Sequence, residues 1–155
     1  MTFSDLKFVR LTQPEQFSLV PRYLFEQVKR KDWDVEDLYK YGPAFLEGIF
    51  NFFYVLAEKE QIQKGYAPVK GVLWATIDPV TKTMCVNIFS IDKEYQKPQG
   101  QAMAGAIAHL RKVKDELRSN GSMNLRDKFL WSTARPKAFE RIGAKRYYRQ
   151  IMEIE

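Results

Sequence analysis

Ile91-Asp92-Lys93-Glu94-Tyr95-Gln96-Lys97-Pro98-Gln99-Gly100-Gln101-Ala102 is the stretch on which the reading of this chain turns. Before it, Thr83 to Ile91 reads TMCVNIFSI, largely apolar on both faces, as a central strand covered by helices on both sides should be. After it, Pro98 to Ser119 sets Met103, Ala106, Ile107, Leu110, Val113 and Leu117 at spacings of three and four. Arg111, Lys112, Asp115 and Arg118 fall on the other side, which is the pattern of a helix with one apolar face. A core strand therefore passes through a loop into the N-terminus of the longest helix. The first amides of a helix lack intrahelical partners and carry the positive end of its dipole, so they suit an anion. Gly100 and Ala102 stay small where a pyrophosphate would approach the backbone, and Lys97 adds a mobile charge beside them. The same small residues also suit a plain helix start packed against a sheet.

Working outward, Leu6 to Leu11 alternates as a short strand. Thr12-Gln13-Pro14-Glu15 reads as a capping box with Thr12 as N-cap, opening a helix that Pro21 bends or restarts. Asp34 caps a further helix through Tyr39, Gly42-Pro43 breaks it, and Ala44 to Ile49 resumes it. Phe52 to Glu58 and Val69 to Asp78 read as strands, the second forming a hairpin with Thr83 to Ile91 across Asp78-Pro79-Val80-Thr81-Lys82. Asn120-Gly121 stops the long helix, and Phe129 to Thr133 is another strand. Pro136 to Ile142 is a short helix closed by Gly143, and Ala144 to Ile154 a final strand. The order is strand, helices, three strands, long helix, strand, short helix, strand. It predicts an α/β chain (α+β in detail) with a central mixed sheet flanked by helices. With 155 residues and no linker or repeat, one domain over 1–155 is expected.

Composition removes several classes of function. Cys85 is the sole cysteine and His109 the sole histidine, so an intrachain disulfide and clustered Cys or His metal sites are excluded. No metal is expected, and one histidine gives a Ser-His-Asp triad little to stand on. Met1 to Arg10 has no signal-peptide core, and the longest apolar stretch, Gly48 to Ala57, is too short to span a bilayer. A soluble cytoplasmic protein without membrane partners is expected. The net charge of +6 is unevenly spread: Met1 to Gln96 has 12 Lys and Arg against 13 Asp and Glu, while Lys97 to Glu155 has 13 against 6. The excess favours an anionic partner for the C-terminal part, either a phosphate-rich cofactor or a nucleic acid.

Lys97-Pro98-Gln99-Gly100-Gln101-Ala102 resembles the Gln/Arg-x-x-Gly-x-Gly/Ala signature of the GNAT superfamily, the acyl-CoA-dependent N-acyltransferases, with Lys97 in the Gln/Arg slot. Gln96 is the alternative anchor, and would make the loop one residue longer. Ala138-Phe139-Glu140-Arg141-Ile142-Gly143-Ala144 is similar to a late element of that family, a short helix ending at glycine before the last strand. The element order agrees over nearly the whole chain, and the ERIGAKRYYRQI tail looks like small acetyltransferase-like proteins of phages.

The resemblance implies acetyl-CoA or another acyl-CoA as cofactor. Ile91, Lys97, Gln99, Gly100, Gln101, Ala102 and Met103 would bind it. An amine, small molecule or protein, would be the acceptor. The resemblance also implies a carboxylate base on or near the central strands and a tyrosine acid in the late short helix. Thr83 to Ile91 holds no carboxylate, and the tyrosine position is Phe139. Glu58 at the end of its strand is the candidate base; Tyr147 and Tyr148, pointing to opposite faces of the last strand, are the candidate acids. His109 reads as a boundary residue on the edge of the long helix's apolar stripe, Cys85 as a buried small apolar residue, and Trp33, Trp74 and Trp131 as core or packing residues.

Two further readings stand beside the acyltransferase. One is a GNAT-shaped protein without catalysis, serving as a binding or structural component, in a virion for instance; a phage-encoded chain would then sit in the host cytoplasm or the virion. The other, weaker, is a nucleic-acid module built on Arg111, Lys112, Arg118, Arg135, Lys137, Arg141, Lys145, Arg146 and Arg149, which no recognised binding motif accompanies.

Overall fold

The computed structural model describes residues 2–28, 30, 32–98, 100–133, 135–148 and 151–155, with the side chain of residue 148 left aside. Seven strands form one sheet: β1 (Leu6–Leu11), β2 (Asn51–Glu58), β3 (Gly71–Asp78), β4 (Thr83–Ile91), β5 (Phe129–Ser132), β6 (Lys145–Tyr148) and β7 (Ile151–Ile154). Their order across the sheet is β1-β2-β3-β4-β5-β7-β6. All neighbours are antiparallel except β4 and β5, which run parallel and are joined by α4 (Gln101–Ser119). Parallel partners need such a crossover, and the apolar stripe of α4 covers the sheet between them. The strand that is apolar on both faces, β4, is the middle one of seven.

Two cores lie on opposite faces. On β2, Phe52, Tyr54 and Leu56 point into one core with Ala106 and Leu110 of α4, while Phe53 and Val55 point into the other. That second core holds Leu24 and Phe25 of α1 (Arg22–Glu26) and packs on Val35, Leu38 and Tyr39 of α2 (Val35–Phe45). A short α3 (Lys59–Gln63), absent from the sequence reading, links β2 to β3.

Several local expectations are corrected. The turn after β1 is a 3-10 helix, Pro14–Leu19, in which Gln16 rather than Glu15 reaches back, accepting from the amides of Thr12 at 2.9 Å and Gln13 at 3.0 Å. Asp34 caps α2 as expected, but the helix runs through Gly42-Pro43 to Phe45. Proline is tolerated there because the last turn tightens: Leu46 and Glu47 donate three residues back, to Pro43 and Ala44. Glycine is needed at 42, since a Cβ would lie 2.7 Å from the Phe17 ring. The long helix starts at Gln101 instead of Pro98, leaving a longer loop. The expected last strand is a hairpin, β6 and β7, with β7 inserted between β5 and β6.

Candidate functional site

The parallel partners β4 and β5 face each other at Met84–Phe129, Cys85–Leu130 and Val86–Trp131, and no facing pair follows among the described residues. At that point β4 carries an extra residue. Trp74 of β3 faces Ile88 and Ala75 faces Val86, so Asn87 has no opposite number. A bulge of this kind bends the strand and raises its twist. It also resets the alternation: Met84 and Val86 point to the α4 side, whereas Ile88 points to the α1 side and Phe89 and Ile91 return to α4. Beyond the bulge the two strands part, and a cleft of about 700 Å³ occupies the wedge.

The walls come from both faces of the sheet. Tyr23 and Glu26 of α1 with Gln27 and Val28 after it line one side, Gly100, Ala102 and Met103 line another, and Asn87 to Ile91 form the β4 wall. Trp131, Ser132, Thr133 and Arg135 complete it with Ala138 and Phe139 of α5 (Pro136–Glu140). Trp131 and Phe139 are buried against each other, their ring centres 5.6 Å apart. Helix α1 is pinned over the end of β4 by two hydrogen bonds, Ser90 Oγ to Gln27 Oε1 and Tyr23 Oη to Asp92 Oδ2, both 3.1 Å. Burial and the Asp92 carboxylate push the Tyr23 phenol up to about 12, so it stays protonated at neutral pH.

The turn into α4 is open. Gly100 is exposed with φ of +83°, and nothing lies within 4 Å of the place where a Cβ would sit. Left-handed backbone favours glycine on conformational grounds alone. The amide of Gln101 turns back to the carbonyl of Pro98 at 3.2 Å. Helix geometry then leaves the amides of Ala102 and Met103 without intrahelical partners, at the positive end of a 19-residue helix. Such a turn fits a diphosphate.

Of the residues expected to bind the cofactor, Ile91, Gly100, Ala102 and Met103 meet on the cleft. Gln101 and Lys97 are exposed and outside its lining, and Gln99 lies outside the described residues. Gln96 takes the place expected of Lys97: it lines the cleft and donates from Nε2 to the Ile91 carbonyl at 3.1 Å. Of the candidate catalytic residues, neither Glu58 nor Tyr147 lines the cleft. Glu58, at the end of β2, accepts a hydrogen bond from the Tyr95 hydroxyl and is absent from the lining. Tyr147 is 59% exposed on β6, the outermost strand beside β7, and the side chain of Tyr148 lies outside the described residues.

Sequence reasoning missed the other wall residues. Glu26 is the one carboxylate among the described residues lining the cleft, and it ion-pairs with Arg22 at 3.0 Å. The early helix that carries it gave no sign of sitting over β4. Asn87 and Ser132 were hidden because a bulge and a parallel register leave no local signature.

Among the described residues no group of His, Cys, Asp and Glu could hold a metal, and no helix is long and apolar enough to cross a membrane. Several cations of the basic C-terminal part serve the fold. Lys114 is buried and donates from Nζ to the carbonyls of Arg126, Asp127 and Lys128 at 2.9, 2.9 and 2.8 Å. Arg118 donates to Leu125 O and to Asp127, and Arg146 pairs with Glu140.

No protein-family model and no curated protein sequence matches this chain. Solved structures do. An acetyltransferase from Thermus thermophilus aligns with a TM-score of 0.60 at 16% identity, over 99% of this chain and 97% of that one. A GNAT-family structure from Desulfovibrio desulfuricans gives 0.57 at 17% identity, over 96% and 95%. The spermidine N-acetyltransferase of Vibrio cholerae, solved with CoA and spermine, gives 0.56 at 13% identity, over 97% and 93%. With the central splay and the seven-strand order, these likenesses give the chain the GNAT fold.

Proposed function

We propose that this chain, acting as one domain, binds an acyl-CoA in the β4–β5 wedge and transfers the acyl group to an amine. One observation carries the reading: a single cleft is lined both by the open turn at Gly100 and by Tyr23, Glu26 and Gln27 from the other face of the sheet, so a cofactor and an acceptor would have separate walls of one cavity. The amides of Ala102 and Met103 would hold the diphosphate, and Lys93 and Arg135 are the cations of the cleft lining. When bound, an acyl-CoA supplies the activated thioester. An amine nucleophile must lose its proton, and Glu26 on the α1 side is the carboxylate available to take it. The solved relative that holds CoA and spermine supports an amine as acceptor class.

A second reading rests on Phe139. This ring stands in the cleft wall where the family resemblance puts a proton donor, and β4 carries no carboxylate. A GNAT-shaped binding or structural protein without turnover would look the same. Calorimetry with acetyl-CoA followed by thiol release in the presence of amines separates the readings. Micromolar binding that Gly100→Glu abolishes, with thiol release on adding an amine, is expected of the acyltransferase. Binding without release against a broad amine panel would leave the second reading. No binding at all would overturn the acyltransferase and favour the second reading.

A further inference from the structure

The hydroxyl and amide side chains that line the cleft are almost all committed to partners within the chain. Tyr23 donates to Asp92, Ser90 to Gln27, Gln96 to the Ile91 carbonyl, and Asn87 Nδ2 to Thr76 Oγ1 at 3.0 Å. Thr133 Oγ1 accepts from the Arg135 amide, also at 3.0 Å. Ser132 is the exception: its Oγ is buried and has no hydrogen-bond partner. A buried hydroxyl left unmet costs about 1–3 kcal/mol, so native structures seldom keep one without a use.

Its position indicates the use. Among the described residues Val86–Trp131 is the last facing pair of β4 and β5, so Asn87 and Ser132 flank the apex of the wedge. Phe129 and Trp131 point into the α4-side core, and a strand's alternation turns Ser132 toward the α1 side. From Ile91, beside the diphosphate turn, back to Asn87 is four residues, or roughly 13 Å of strand. An extended pantetheine arm laid along that edge would bring its thioester to the apex. The surroundings there are the Trp131 and Phe139 rings, and the Asn87 amide is tied to Thr76. An acyl carbonyl oxygen entering this apex would lose its water, and the Ser132 hydroxyl, turned about χ1 from its buried rotamer, can meet it without giving up a partner.

We infer that the Ser132 hydroxyl is a specificity-determining contact that donates a hydrogen bond to the acyl carbonyl oxygen of the bound thioester, so that the cleft distinguishes acyl-CoA from ligands without that oxygen. The inference rests on the acyl-CoA reading above. Acetyl-CoA and S-ethyl-CoA, a thioether of similar size lacking the oxygen, test it by calorimetry. One neutral hydrogen bond is worth about three- to tenfold in affinity. Wild type should prefer acetyl-CoA by that factor, Ser132→Ala should lose the preference while holding S-ethyl-CoA as before, and Ser132→Thr should keep it. An unchanged preference in Ser132→Ala, with both ligands bound, overturns the inference and leaves the acyl-CoA reading intact. Failure of wild type to bind either ligand overturns that reading and the inference together. The thermal midpoint of ligand-free Ser132→Ala should stay level or rise, because no partner in the chain is lost. A fall would show that the hydroxyl serves the fold, and would also overturn the assignment.

Discussion

Trp74 faces Ile88 while its neighbour Ala75 faces Val86, and the residue skipped between them, Asn87, is where β4 leaves β5. One surplus residue in the middle strand therefore opens the sheet at its centre. Everything proposed for this chain uses the space so made.

Gly100 should be sensitive to backbone strain rather than to crowding. Nothing would touch its Cβ, yet φ is +83°, so Gly100→Ala should cost about 1–2 kcal/mol in a denaturant titration. Its effect on CoA affinity should be small beside that of Gly100→Glu, which places a carboxylate where the diphosphate would lie.

Glu26→Gln should lower the rate of amine-dependent thiol release by roughly 10²-fold or more and leave calorimetric CoA affinity within about twofold. The cost in stability should be slight, because its ion pair with Arg22 is exposed.

Phe139→Tyr would put a phenol into the cleft wall beside Trp131. If the wall lacks only a proton donor, turnover should rise, by up to about 10²-fold, with little change in acyl-CoA affinity. An unaltered rate would show that proton supply to the leaving thiolate does not limit this chain.

Lys114 is a structural ammonium. It lies 1% exposed, held by three consecutive carbonyls and set 3.4 Å from the Phe129 ring centre. Lys114→Met strands those carbonyls and should cost about 2–4 kcal/mol. Burial, with Arg118 adding to it, brings the ammonium down from 10.5 to about 8. The folded chain then binds fewer protons than the unfolded one between those values. Stability from this group thus rises with pH from about 8 to 10.5, and the gap between wild type and Lys114→Met should widen there, by of order 3 kcal/mol at most. Denaturant titrations of both proteins at pH 7.5 and pH 10 would read it.

Cys85 should be slow toward thiol reagents in the native chain. It is half-buried on β4, and burial pushes its thiol above the ordinary value, so little thiolate forms at pH 8. One thiol per chain should appear only on unfolding, which keeps the background low in a CoA-release assay.

Much of this architecture could be read from residue order. The TMCVNIFSI strand, the stripe on α4 and the glycines at 100 and 143 are local patterns, and each predicts its element without reference to the rest of the chain. The helix through Gly42-Pro43 was misread because the Phe17 ring, 25 residues earlier, decides what fits there. The last strand reads as one because residues 144 to 154 hold no Gly, Pro, Asn or Asp to mark a turn, and only pairing shows that they fold back on themselves.

By itself the sequence determined most of the elements, the central place of β4 and the glycine-bearing turn before α4, since periodicity and turn chemistry act over a few residues. Tertiary structure alone decided which side chains meet. The Asn87 bulge exists only as a mismatch between two strands, Ser132 reaches the wedge only because β5 crosses over to lie parallel to β4, and Glu26 arrives from a helix more than 60 residues away. Contacts at such separations follow from burying two faces of one sheet at once, a condition no short window of residues contains.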